Sequence, residues 1–248
     1  MRPIDTALHI LETLGRLQPA GVSELSRALD LPKSTVQRAL KSLGEAGWIE
    51  AVSEEKGAWS LSLRAGLAVG PADFAVRHLR AAAIPVMEEL RRRTLESVYL
   101  AIRQDNGVAL VERLDGINPV VHAWPLWRLG PMHPSSLGRA ILATLPPEEL
   151  DAYLARPLTR VTELTVIDPE KLRAELVRTR ERGFATAFRT NWPNENGVGA
   201  AIRNNRGVPF AAISVSAPVE RVSESACDAM GDLLADAARR ISLGLARR

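Results

Sequence analysis

At Gly47 the apolar residues of this chain change period, from one residue in every three or four to one in every two, and that switch limits what the first 62 residues can fold into. Before it, Ile4, Ala7, Leu8, Leu11, Leu14 and Leu17 make one helical stripe, which Pro19 and Gly21 stop. A short second helix is expected after Ser23, with Ser23 as its N-cap and Leu25, Ala28 and Leu29 as its apolar side. Asp30 and Leu31 turn the chain. Pro32 suits the first position of a third helix, where its missing N–H has no partner to lose, and Val36, Ala39, Leu40 and Leu43 form that helix's inner stripe up to Gly44 or Gly47. Beyond Gly47, Ile49 and Ala51 alternate with Glu50 and Val52, and Trp59 and Leu61 with Ser60 and Ser62, around the polar loop 53–57. Three helices and a hairpin in this order describe a winged helix-turn-helix over residues 1–62.

Residues 63–78 read as a linker helix and 79–248 as a second domain. A helix carries Leu79, Ala83, Val86 and Leu90, with Pro85 as a kink or restart point. Strands are expected at 97–102, 108–114, 119–123, 184–189, 198–203 and 209–216, and helices at 136–144, 148–154 and 169–182. A last helix opened by Ser223 carries Ala226, Met230, Leu233, Ala237, Ile241 and Leu245. The class is α+β. With 46% hydrophobic and 25% charged residues the chain is a globular protein, not a disordered or fibrous one. A lone cysteine, Cys227, allows no intramolecular disulfide, no apolar run reaches the roughly 18 residues of a membrane span, and no signal-type segment opens the chain. A cytoplasmic protein with no membrane partner is expected.

A net charge of +3 announces no nucleic-acid partner by itself, and residues 1–64 balance eight basic against eight acidic side chains. The local pattern is different. From Leu31 to Gly44 there is no acid, and the face opposite Val36, Leu40 and Leu43 carries Lys33, Ser34, Thr35, Gln37, Arg38 and Lys41. Ser34 and Thr35, at the helix start, are placed for phosphates; Gln37 and Arg38 can offer bidentate groups to purine edges in a major groove. An ordinary solvated face is the alternative, but a short helix, a tight turn, this helix and a hairpin occur together mainly in DNA-binding domains. In the wing, Glu54 and Glu55 repel phosphate, which leaves Lys56 and the backbone of Gly57.

The run from Val22 to Leu40, VSELSRALDLPKSTVQRAL, followed by Gly47-Trp48-Ile49, resembles the DNA-binding half of IclR-family bacterial transcriptional regulators. Gly130 to Ala143, GPMHPSSLGRAILA, with Glu148-Glu149-Leu150 after it, is similar to that family's block leading into a long helix, and Pro209 to Pro218, PFAAISVSAP, to its last strand. The resemblance implies a winged helix joined by a helical linker to a GAF-like effector-binding domain. It further implies a homodimer or dimer of dimers that binds a double-stranded DNA operator and responds to a small-molecule effector, without a cofactor.

A helix starting at Ser135 or Ser136 offers free N–H groups to a carboxylate, to which His133 and the hydroxyls of Ser135, Ser136, Ser214 and Ser216 can add hydrogen bonds. Ser214 and Ser216, two apart, share one strand face, and by resemblance they face the effector; local hydrogen bonding is the other reading. Trp124, Trp127 and Met132, with Asn191 and Trp192, are candidates for covering an apolar ligand body or for completing a core, and Arg203 for countercharge or strand-end surface. An organic or aromatic acid is the expected effector class. Histidines 9, 78, 122 and 133 form no ligand pair of metalloenzyme spacing, and no GxSxG, P-loop or dinucleotide fingerprint occurs, so neither a metal site nor catalysis is expected. A purely oligomerising second domain and an esterase-like enzyme pairing His133 with Ser135 or Ser136 are the alternatives.

Overall fold

The computed structural model describes residues 3–53, 57–65, 74–117, 124–222 and 227–246. Lys56, Glu54, Glu55, His122, the strand expected at 119–123, half of the linker (66–73) and the Ser223 cap lie outside them. The chain divides into two units, Met1–Phe74 and Ala75–Arg248. In the first, α1 (Pro3–Leu17), α2 (Val22–Leu29) and α3 (Lys33–Glu45) pack with a three-stranded antiparallel sheet ordered β1 (Ala20–Gly21), β3 (Ala58–Leu61), β2 (Ile49–Ser53). Its core is Ile10, Leu14, Ala20, Leu25, Val36, Leu40, Leu43 and Ile49.

Two local expectations are corrected by packing. The inner face of α1 is centred on Ile10 and Leu14, with Thr6 and Thr13 also buried, while Ile4, Leu8 and Leu17 of the expected stripe are 73%, 54% and 41% exposed. Apolar residues occupy more of the α1 circumference than α2, α3 and β3 can cover, so the neighbours select which part is buried. Ser23 is not an N-cap. Ala20 and Gly21 are held extended by pairing with Trp59 and Ala58, and α2 therefore starts at Val22 with Gly21 as its cap; Val22, Leu25 and Leu29 face inward and Ala28 outward.

The second unit opens with α4 (Phe74–Thr94), which carries Pro85 internally and begins before the 79 expected as the domain start. It continues through β4 (Ser97–Gln104), β5 (Gly107–Leu114), the unforeseen β6 (Leu129–Pro131), α5 (Ser136–Leu142), α6 (Pro147–Leu154) and α7 (Pro169–Arg182). It ends with β7 (Ala185–Phe188), β8 (Glu195–Arg203), β9 (Pro209–Pro218) and α8 (Cys227–Ala246). The strands form one antiparallel sheet in the order β6-β5-β4-β9-β8-β7. Because side chains alternate along each strand, the sheet builds two cores. Val98, Leu100, Val198, Ala200, Ile213 and Val215 meet α4 and α8 through Leu79, Met87, Leu234 and Ile241. Tyr99, Ala101, Val108, Leu110, Ala185 and Ala212 meet α5, α6 and α7 through Leu137, Ile141, Leu154 and Leu172.

On this second face β8 presents Gly197, Gly199 and Ala201, so α5 can lie almost on the strand backbone. A Cβ at Gly199 would sit 2.9 Å from the carbonyl carbon and oxygen of Ser136, a contact with backbone that cannot swing away. Gly199→Ala should therefore destabilise the second unit by about 1–3 kcal/mol, the usual cost of overpacking. Urea unfolding of the variant against the parent chain measures this, and an unchanged midpoint would show that α5 is free to shift.

Candidate functional site

In the first unit, α3 separates its faces as its sequence period requires. Val36, Leu40 and Leu43 are buried, while Lys33, Ser34, Gln37, Arg38 and Lys41 are exposed and Thr35 is half-buried. At 100° per residue these exposed side chains fall on one side of the helix. Lys41 lies 3.9 Å from Glu45 in a fully wet pair that leaves its ammonium available to a phosphate. The wing tip with Lys56 belongs to the residues outside the description.

In the second unit, register and small side chains open a cavity between the sheet and the start of α5. Ser216 pairs across the sheet with Ser97 on one side and Gly197 on the other, and Gly197 pairs with Ala187; one row deeper, Ser214 pairs with Tyr99 and Gly199. The cavity is lined by Tyr99, Trp124, Ser135, Ser136, Leu137, Ala187, Asn191, Trp192, Glu195, Gly197, Ser214 and Ser216 and is open to solvent on one side. Ser135 caps α5, its Oγ accepting from Gly138 N at 3.1 Å, while the amides of Ser136 and Leu137 are too early in the helix for an intrahelical acceptor. A loop carries Asn191 and Trp192 and is tied down on both sides. Thr190 donates to the Pro134 carbonyl at 2.6 Å, Thr165 donates to the Thr190 carbonyl at 2.8 Å, and Arg189 donates through Nε to the Pro193 carbonyl at 2.8 Å. Trp124 is fixed by its indole N–H, which donates to the Arg128 carbonyl.

Apart from Glu195, the polar groups lining the cavity are uncharged at neutral pH. Burial, reinforced by the charge of Glu195, holds the Tyr99 phenol well above its ordinary range, so it remains a hydroxyl. Burial alone pushes the Glu195 carboxyl up to about 7. Its Oε1 is shut away from solvent and has no hydrogen-bond partner. Among the described residues lining the cavity there is no Lys or Arg to offset it.

Of the residues singled out in the sequence, Ser135, Ser136, Ser214, Ser216, Trp124, Asn191 and Trp192 are thus brought together. The others are not. His133 is buried with both ring nitrogens engaged, Nδ1 with the Tyr153 hydroxyl and Nε2 with the Thr159 carbonyl, each at 2.9 Å; the ring borders a different cleft, beside Arg156 and Pro157. Burial holds its pKa below the usual histidine value. Met132 is fully buried in the core under α5, because the turn into the helix folds it inward. Trp127, in a left-handed backbone conformation, points outward and is 57% exposed. Arg203 stands at the far end of β8, about 26 Å of strand from Glu195, where it donates to the Gly207 carbonyl. Tyr99, Leu137, Ala187, Glu195 and Gly197 were not foreseen. The only signal for Tyr99 was its parity in the strand, and Glu195 fell between the strands expected at 184–189 and 198–203. Among the described residues no group of His, Cys, Asp and Glu is placed to hold a metal, and Cys227 is buried. No helix among them is long and apolar enough to cross a membrane.

An exposed basic helix in a winged unit, followed by an α+β unit with a lined cavity, is the build of a DNA-binding regulator with a sensing domain. Residues 3–53 match the IclR helix-turn-helix domain, and residues 73–243 match the bacterial transcriptional regulator IclR C-terminal domain. The chain belongs to the IclR family of DNA-binding transcriptional regulators. It is 31% identical to the HTH-type transcriptional regulator BhcR of Paracoccus denitrificans, covering 100% of this chain and 88% of that one. To the HTH-type transcriptional repressor AllR of Salmonella typhi it is 33% identical, covering 98% and 89%. Among solved structures, an IclR homolog of Microbacterium hydrocarbonoxydans complexed with 4-hydroxybenzoate superposes with a TM-score of 0.84 at 29% identity, covering all of both chains.

The Glu195 environment has a measurable consequence. Its pKa in the fold, about 7, lies above its ordinary value of 4.5, so its contribution to stability is complete below 4.5 and is lost as the pH rises through 7. Relative to Glu195→Gln, the parent chain should lose roughly 2 kcal/mol between pH 4.5 and 8.5, a figure already reduced for partial exposure. Urea midpoints for both proteins across that range test this; parallel curves would mean the carboxyl is solvated.

Proposed function

We propose that the cavity in the second unit is the effector site of this regulator, and that a small organic acid, aromatic or short-chain, bound there changes the affinity of the first unit for operator DNA. The observation that carries the reading is the cavity itself: the start of α5 and the strand bearing Ser214 and Ser216 converge on one space walled by Trp124 and Trp192. The Microbacterium relative, structurally alike over its whole length, is complexed with an acid of this class. Because α5 has only 7 residues, its dipole is a small term, and the serine hydroxyls with the early amides do the orienting. A binding role is favoured over turnover by a His–Ser pair because His133 spends both ring nitrogens on Tyr153 and Thr159, which removes it as a base for Ser135 or Ser136.

The regulator works in the cytoplasm as a homodimer or dimer of dimers. A single winged helix makes few base contacts, and paired half-sites multiply them. The outward Ile4 and Leu8 of α1 are apolar surface suited to a second copy. On DNA, Lys33, Ser34 and Thr35 hold phosphates, Gln37 and Arg38 read base edges, and Lys41 and Lys56 add backbone charge. Ligand and operator are coupled only to the extent that the ligand prefers one arrangement of the protein; a tenfold change in operator affinity needs about 1.4 kcal/mol of such preference.

Operator titrations at several salt concentrations separate the roles on α3. Arg38→Ala should cost about 1–3 kcal/mol and relax sequence preference, whereas Lys33→Ala should weaken all sequences alike and lower the salt slope by about one. Unchanged affinity in both would sink the recognition-helix assignment, and a monomer by light scattering on its own and on the operator would sink the dimer. For the cavity, calorimetry with 4-hydroxybenzoate should show at least a tenfold loss of affinity in the Ser214→Ala, Ser216→Ala double variant. Equal binding to both proteins would place the ligand elsewhere.

A further inference from the structure

Glu195 is the one group in the cavity that hydroxyls and amides do not explain. Serine, tyrosine and asparagine side chains adapt, donating or accepting as a ligand requires, whereas an ionised carboxylate only accepts. Residues 195, 197 and 199 share one side of β8, so Glu195 lies on the same face as the glycines under α5, at the strand end beside Trp192 and Asn191. Its backbone is fixed there by Arg189 N–H donating to its carbonyl at 2.9 Å and by its own N–H donating to the Trp192 carbonyl at 3.3 Å. Its Oε1 is buried and unpartnered, and no cation lines the cavity among the described residues. Oε1 is already shut away from solvent in the cavity as it stands, so a donor brought by a ligand supplies a hydrogen bond that water does not. A ligand with such a donor gains that bond and one without it does not, and the difference falls on binding.

We propose that Glu195 is the specificity-determining acceptor of the cavity, and that the effector carries, besides its acid group, an O–H or N–H that it donates to the Glu195 carboxylate. The inference rests on the cavity being the effector site and narrows the class from organic acids in general to hydroxy or amino acids in the broad sense. The two ends of such a ligand are told apart by chemistry. An acid group is repelled by Glu195 and is received by the hydroxyls of Ser135, Ser136, Ser214 and Ser216; the donor has Glu195 as its strongest acceptor. Trp124 and Trp192 cover the body between them. A plain acid of the same size fits the walls but makes no bond to the carboxyl, so the site disfavours it for a missing hydrogen bond and not for shape.

The experiment is calorimetry on the full chain with benzoate, 3- and 4-hydroxybenzoate, and 3- and 4-methoxybenzoate, using the parent protein, Glu195→Gln, Glu195→Leu and the Ser214→Ala, Ser216→Ala double variant. The parent should bind at least one hydroxybenzoate tenfold or more tighter than both benzoate and the matching methoxy compound. Glu195→Leu should abolish that preference while binding benzoate at least as well as the parent, and Glu195→Gln, whose amide oxygen still accepts, should retain part of it. No preference for a hydroxyl in the parent chain, whether all probes bind or none does, overturns the proposal, and so does a preference that survives in Glu195→Leu. If benzoate binding is lost in the double serine variant but no hydroxyl preference exists, the effector site stands and the role of Glu195 falls. If the serines have no effect on any probe that binds, the site assignment itself falls.

Discussion

The second unit depends on how closely α5 can approach β8. Gly197 and Gly199 remove the side chains that would hold the helix off the sheet, and the start of α5 settles against the strand backbone itself. From that contact the cavity follows. The helix start contributes Ser135 and Ser136 at one wall, the neighbouring strand contributes Ser214 and Ser216 as the floor, and Thr190 fastens the opposite loop to the Pro134 carbonyl just before the helix. Arg139 locks the same helix from its other side. Its guanidinium, almost wholly buried, donates to the carbonyls of His133 and Thr186 and pairs with Glu175 at 2.9 Å, joining α5, β7 and α7. A buried ion pair of this kind adds little net stability against a hydrophobic alternative, but removing either partner would leave the other stranded, so it enforces one arrangement.

The same sheet serves two different purposes on its two faces. Against α4 and α8 it offers valine, isoleucine and leucine and makes an ordinary apolar core. Against α5 it offers glycine, alanine and serine near β8 and β9, and bulk returns only toward β4 and β5. Small residues on a sheet cost packing area, and here that cost coincides with the place where polar groups gather. A carboxyl whose pKa burial raises to about 7 tolerates this dry environment better than one that must stay fully ionised.

In the first unit the division of labour along α3 is set by geometry alone. Three buried side chains fix its rotation, and the acid-free face that remains has no choice but to point outward. Family membership joins the two units into one regulator, and a ligand in the second acts on DNA bound by the first only through its preference for one arrangement of the chain.

Element types, the outward face of α3 and the cluster of serines and tryptophans were legible in the residues, since each depends on periodicity or on a few neighbours in sequence. Which side of α1 is buried was not, because Ile4 and Leu8 are as apolar as Ile10 and Leu14 and only the packing of α2, α3 and β3 chooses between them. The cavity's membership was equally a matter of tertiary structure. Tyr99 and Ser214 are neighbours because β4 pairs with β9, more than a hundred residues later, in one register; a slip of one residue would put them on opposite faces of the sheet. His133 and Arg203 carry the right chemistry for an acid site, yet the turn before α5 sends one toward Tyr153 and the length of β8 carries the other to the opposite edge. Local sequence sets which conformations each segment favours, while long-range strand register, which no local pattern encodes, decided which side chains share the cavity and made a loop-like glutamate its one uncompensated group.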